Sequence, residues 1–281
     1  MIFSQNHNKR FQVIRQDIHN GLDKIHSNEK VVNGYYVTEV EKQLKELSKR
    51  KYALLVTSGS HAITIALQAN GLKHGDAVIV TNYSCPASLS SVMVGGFEPV
   101  FCEINEHGNM DPAYLPSLMN PKIKAVVATA LYGDMHDHDA VKKFCDDNGL
   151  VYVNDAAQSQ FALCNGIDSL ACGDTVAISF ADNKAIPTIG TKPAYSKWNG
   201  HKYSLFVADK LWSHDKLNEM GVQTERHYLD NFASLDWTPN STFNFAVTDR
   251  FVKQSLTIPN NPHMTNEDVD FVIDCVLKHQ K

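Results

Sequence analysis

Six short runs, KYALLV (51–56), DAVIV (76–80), PVFCEI (99–104), KAVVATA (124–130), LVYVND (150–155) and TVAISF (175–180), are nearly continuous in apolar residues. A strand with one wet face alternates apolar and polar positions, whereas a run that is apolar throughout has to be buried on both faces. A stretch with helical spacing precedes the first run, at 38–49, and others separate the first five runs, at 58–72, 86–94, 113–119 and 139–148. Strand and helix in alternation predict an α/β fold, a mostly parallel sheet sandwiched by helices. The first of these helices opens with Thr38-x-x-Glu41, the pattern of a capping box.

Past Gly200 the regularity falls. HKYSLFVA (201–208) is strand-like, 215–220 is helical and ASLDWTPNSTFNF (233–245) is irregular, before NEDVDFVIDCVLKH (266–279) closes the chain as an amphipathic helix. With 281 residues, 43% of them hydrophobic, there is material for more than one unit. The expected division is a large domain over 1–197, with an N-terminal arm over 1–33, and a reduced C-terminal α+β domain over 198–281.

The net charge of -5 comes from acidic and basic residues mixed along the chain, with no basic block to suggest a nucleic-acid partner. No apolar run reaches membrane-spanning length, and residues 1–18 carry no apolar signal core. The expected location is cytoplasmic. Six cysteines without a C-x-x-C pair read as free thiols. The histidine-rich DMHDHD (134–139) reads as a polar loop entering a helix near Asp139, because no spacing fixes partner ligands. No metal is expected.

In a parallel sheet, ligand chemistry concentrates at the carboxyl ends of the strands. Four features fall there. Ser58-Gly59-Ser60 precedes a helix, where small side chains leave backbone N–H groups open to a phosphate, although such turns also arise for steric reasons alone. Asp155 ends LVYV and needs a partner if buried, or serves as a helix cap. Ser179 ends TVAISF, to bind phosphate or cap its turn. Lys184 follows in SFADNK, as a nucleophile or a solvated loop lysine. A phosphate, a protonated ring nitrogen and an aldehyde are together the three handles of pyridoxal 5'-phosphate. In such a site a lysine forms the Schiff base and a carboxylate keeps the pyridine protonated as an electron sink.

Ordered motifs sharpen this reading: NGYYVTEVE, KYALLVTSGSHAI, GDAVIV, GGFEPVF, LYGD, VNDAAQS and GDTVAISFADNK. On them the chain resembles the DegT/DnrJ/EryC1/StrS family of sugar aminotransferases, which have the aspartate-aminotransferase-like fold (fold type I of the pyridoxal-phosphate enzymes). The likeness runs from about residue 33 to 190 and resumes from about 201. It implies that Lys184 is the Schiff-base lysine, Asp155 the partner of the pyridine nitrogen and Gln158 the neighbour of the cofactor's phenolic oxygen. It assigns Gly59, Ser60 and Ser179 to the phosphate. A homodimer, a keto-sugar-nucleotide substrate and glutamate as amino donor are implied in the same way.

The chain departs from the family pattern in three places. NYSCPAS puts Cys85 where relatives carry a ring-stacking aromatic, and a thiol offers less area. Lys192-Pro193 replaces a glycine pair after the lysine turn. Several dozen residues of the family's connection are missing between about Tyr195 and His201, so the chain reads as an internally shortened member. Two alternatives stand beside transamination: another α-carbon reaction, such as dehydration or isomerisation, and a non-catalytic binding or structural subunit. His227-Tyr228 is read as lining the cleft or as loop packing. His61 is read as touching substrate or as a surface histidine, and Tyr132-Gly133 as a turn.

Overall fold

The computed structural model describes residues 1–2, 7–27, 32–181, 202–239, 241–261 and 263–279, without the side chains of 7–10. Its helices and strands in chain order are α1 (His7–His26), α2 (Tyr35–Ser48), α3 (Gly59–Ala69), β1 (Ala77–Thr81), α4 (Pro86–Val94), β2 (Glu98–Cys102), α5 (Leu115–Leu118), β3 (Ile123–Thr129), α6 (His138–Asn148) and β4 (Val151–Asp155). There follow β5 (Leu163–Cys164), β6 (Ile167–Asp168), β7 (Thr175–Ala177), β8 (Tyr203–Phe206), α7 (Lys210–Glu219), α8 (Ala246–Gln254), β9 (Ser255–Ile258) and α9 (Asn266–His279). Lys184, and the division expected at 197/198, lie outside the described residues.

Five strands form one sheet in the order β2-β1-β3-β4-β7, and every pairing in it is parallel. Because successive side chains point to opposite faces, Val78 and Val80 of β1 enter one apolar layer and Ala77 and Ile79 the other. The first layer is closed by Ile63 and Leu67 of α3 and by Leu89 and Val92 of α4. The second is closed by Leu115 and Leu118 of α5 and by Val141 and Cys145 of α6. The sandwich read from the apolar runs is the fold observed.

Local chemistry sets the helix starts. Ser58 caps α3, its Oγ accepting from His61 N–H at 3.1 Å. Pro86 occupies the first turn of α4, where no N–H is needed. Asp137 caps α6 by accepting from Ala140 N–H at 3.0 Å, and Gly149, in the left-handed region at φ 63°, ends it. In the loop before α6 and at its first residue, His136 and His138 are buried, their rings bonded to the Tyr152 hydroxyl.

Two sequence expectations fail locally. The capping box at Thr38 is absent, because α2 begins earlier, at Tyr35 behind Gly34, and Thr38 Oγ1 donates to Gly34 O inside the first turn. KYALLV is not a buried strand: it joins no ladder among the described residues, and Tyr52 and Leu54 are 75% and 69% exposed. Glu41 explains part of both results, since its Oε1 accepts from Leu55 N–H at 2.9 Å rather than serving a helix start.

The C-terminal region has its own antiparallel pair, β8 with β9, packed on α7 and α9 through Leu217, Val222, Leu256, Val272 and Cys275. It meets the sheet at the carboxyl ends of the strands. Asn82, just past β1, donates to Asn231 Oδ1 and accepts from Ala233 N–H. Glu103, just past β2, takes N–H groups of Val247 and Thr248 and the Thr248 hydroxyl, which places a carboxylate at the start of α8.

Candidate functional site

The strand order reverses direction at β1, with β2 on one side and β3 on the other, so a crevice opens beyond the carboxyl ends of the strands. Asp155, the last residue of β4, stands there and is buried. A buried carboxylate needs donors. Ser88, from the first turn of α4, donates to Oδ2 at 2.7 Å. Thr129, its register partner on β3, donates to the same oxygen at 3.3 Å, and Ala157 N–H reaches Oδ1 at 3.2 Å. Ser84 Oγ lies 3.1 Å from Ser88 Oγ; with the Ser88 proton on Asp155, Ser84 is the donor to Ser88. Neither Ser88 nor Thr129 was singled out in the sequence. The available signal was Thr129 at the end of its apolar run, level with Asp155.

Gly59 and Ser179 come together past the end of the strand that pairs with Asp155's, and Ser60 follows Gly59 in α3. Ala177 is the register partner of Asp155 on β7, and Ser179 lies two residues further on. A methyl group on Gly59 would sit 3.1 Å from both Ile178 O and Ser179 Cβ. The first turn of α3 therefore meets the end of β7 so closely that glycine suits the position. Gln160 Nε2 donates to Ser179 O at 2.8 Å and holds that backbone. His61, one residue past Ser60, is exposed and pairs with Thr57 Oγ1 at 2.9 Å.

Gln158 is buried between two elements. Its Oε1 accepts from Tyr132 N–H at 3.1 Å, and its Nε2 donates to the Tyr228 hydroxyl at 2.5 Å. Burial pushes the Tyr228 hydroxyl well above its usual pKa, and Cys85, Tyr83 and Asp155 are among the groups that act on it. Cys85 itself is half-buried at the start of α4. Thus Cys85, Asp155 and Gln158, assigned to one ligand by resemblance, all act on one tyrosine, Gln158 by a hydrogen bond and the other two through charge. Tyr132 and Gly133 form the expected turn, both with positive φ. The His227 ring packs against Lys202 and Glu225 and its carbonyl accepts from Tyr83 and Tyr132, so its contacts are those of a joint.

These residues fit the cofactor that the resemblance implies. A fixed carboxylate, an amide with its NH₂ end on the Tyr228 hydroxyl, and a helix start packed close against a serine have the chemistry for a ring nitrogen, a phenolic oxygen and a phosphate.

Comparison with known proteins gives the lineage. The chain is 32% identical to a pleiotropic regulatory protein of Geobacillus stearothermophilus over 183 residues, 65% of this chain and 49% of that protein. It is 33% identical to a GDP-perosamine synthase of Vibrio cholerae over 154 residues, 54% of this chain and 42% of the synthase. The matched stretches thus span about half the length of these curated relatives. A solved structure of Streptomyces venezuelae DesV, in complex with a ketimine intermediate, superposes with a TM-score of 0.91 at 19% identity, covering 100% of this chain and 98% of that one, a likeness of fold. The sequence profile of the DegT/DnrJ/EryC1/StrS aminotransferase family matches residues 12–192 and 196–277, and the chain belongs to that family.

Proposed function

We propose that the protein is a pyridoxal-phosphate-dependent aminotransferase acting on a keto-sugar nucleotide, with glutamate as amino donor. The observation that carries this reading is the convergence of Asp155, Gln158, Gly59 and Ser179 at the carboxyl ends of β4 and β7 and the start of α3. When bound, the cofactor supplies an electron sink for the pair left at the substrate's α-carbon. Asp155, oriented by Ser88 and Thr129, would pair with the protonated pyridine nitrogen. Gln158 would donate to the phenolic oxygen, while Gly59, Ser60 and Ser179 would receive the phosphate. Cys85 would lie against the ring. Lys184 would hold the cofactor covalently through Nζ and, once displaced by the incoming amine, would take the proton from that amine's α-carbon as general base.

The division into 1–197 and 198–281, a homodimer and a cytoplasmic location belong to the same reading. Exposed Phe11, Tyr36, Leu47, Tyr52 and Leu54 offer apolar surface for a second copy. Among the described residues no helix is long and apolar enough to cross a membrane.

The test is a half-reaction: the loaded protein is mixed with glutamate, and 2-oxoglutarate is counted against bound cofactor. One equivalent per site supports transamination. Bound cofactor with no 2-oxoglutarate, but turnover of another amine, moves the assignment to a different α-carbon reaction. Bound cofactor inert to every amine moves it to a binding subunit.

A further inference from the structure

An amide side chain has a donor end and an acceptor end, and its neighbours decide which way it points. The Tyr132 N–H can only donate, so the end of Gln158 that faces it is the carbonyl, at 3.1 Å. The NH₂ end then faces the Tyr228 hydroxyl. Tyr132 is itself held at φ 60°, a conformation that few side chains other than glycine adopt. A strained residue beside a cleft is a common mark of a positioned group.

Tyr228 is anchored with similar care. Its N–H donates to the Tyr83 hydroxyl at 2.6 Å, and its carbonyl accepts from Lys210 Nζ at 2.8 Å. The preceding carbonyl, of His227, accepts from Tyr83 at 2.6 Å and from Tyr132 at 3.1 Å. The Tyr83 and Tyr228 rings meet edge to face at 5.5 Å. The phenol that receives Gln158 thus stands on a backbone clamped from the loops after β1 and β3 and from α7.

On the reading of the site given above, we propose that Tyr228 is a positioning residue of the cofactor site: it accepts from Gln158 opposite the Tyr132 N–H and so fixes the amide with its donor end towards the cofactor's phenolic oxygen. The consequence is chemical. A fixed donor favours the ionised form of that oxygen, and an amide free to turn favours it less. The rings of Tyr83 and His227 pack on Tyr228, Lys210 holds its carbonyl, and Cys85 and Asp155 act on its hydroxyl through charge. None of them replaces the Gln158 bond.

The experiment is a pH titration of the visible band of pyridoxal-phosphate-loaded protein in wild type, Tyr228→Phe, Gln158→Ala and the double variant. Loss of one hydrogen bond of ordinary strength should raise the Tyr228→Phe midpoint by about half a unit to one unit. Gln158→Ala should raise it at least as far, and the double variant should match Gln158→Ala, since Tyr228 acts through the amide. An unmoved midpoint in Tyr228→Phe, or a Tyr228 effect that persists without Gln158, overturns the proposal. Exchange of the Gln158 side-chain amide protons in the unloaded wild type gives a second answer that needs neither cofactor nor variant. Slow exchange supports the clamp, and exchange at the rate of free glutamine overturns it. A wild type with no visible band would refute the functional reading, while the exchange result would still decide the clamp.

Discussion

Between the helices and the five-stranded sheet the filling is apolar: Val78, Val80, Val127 and Val153 against α3 and α4 on one face, Ile79, Val126 and Ala128 against α5 and α6 on the other. Where residues 225–258 meet the same sheet, Phe232, Phe245 and Phe251 are joined by buried polar groups: Asn82 with Asn231, Glu103 with Thr248, Tyr83 with the 227–228 peptide. The first junction resists water through area, which is non-directional. The second depends on hydrogen-bond geometry, so it fixes position more than it adds stability. The candidate site lies on the second, where Gln158 meets Tyr228.

The comparison can be broken by substitution. Leu67→Ala, in the layer under α3, should cost about 3–5 kcal/mol by loss of transfer energy and the cavity left behind, read by urea denaturation. A loss well under 1 kcal/mol would mean that the apolar layer is not the main support. Acid tests the sheet side differently. Burial and the neighbouring His138 hold His136 down at about 3, so the unfolded chain binds the proton first as pH falls below about 6.5. Stability should therefore fall with decreasing pH through the window from about 6.5 to about 3, by about 1.4 kcal/mol per pH unit, and His136→Gln should flatten that slope. An unchanged slope in the variant would contradict the assignment.

At the polar junction, Glu103→Gln removes the charge that takes Val247 N–H, Thr248 N–H and the Thr248 hydroxyl. The expected cost is about 2 kcal/mol. Amide exchange should speed up over α8 more than in β1 or β3; equal acceleration in both would show that the two regions share one support. The smallest effect is expected at the surface. Lys122→Ala breaks a pair with Glu98 in which both side chains are more than half exposed, and should change stability by less than about 0.5 kcal/mol.

How far the sequence could be read follows the same boundary. Runs such as DAVIV and KAVVATA identified β1 and β3 because burial on both faces leaves a local, continuous signal. KYALLV carries the same signal and fails, since a strand also needs a neighbour, and none of the described strands pairs with it. The helix α8 and the strand β9 that follows it carry no such signal, lying in a stretch of mixed composition. What starts α8 is Glu103, about 145 residues earlier in the chain, and one sequence does not show that pairing. The site divides likewise. Gly59, Asp155 and Gln158 sit in ordered motifs, whereas Ser88 and Thr129 support Asp155 only through contacts made by folding.

The most direct test of the account is the visible absorption spectrum of the protein with pyridoxal phosphate, before and after borohydride, beside Lys184→Ala. The account predicts a band in the wild type that borohydride converts to a covalent adduct on Lys184, and neither band nor adduct at that position in the variant. No band and no adduct in the wild type would contradict it, and so would an adduct carried by a different lysine.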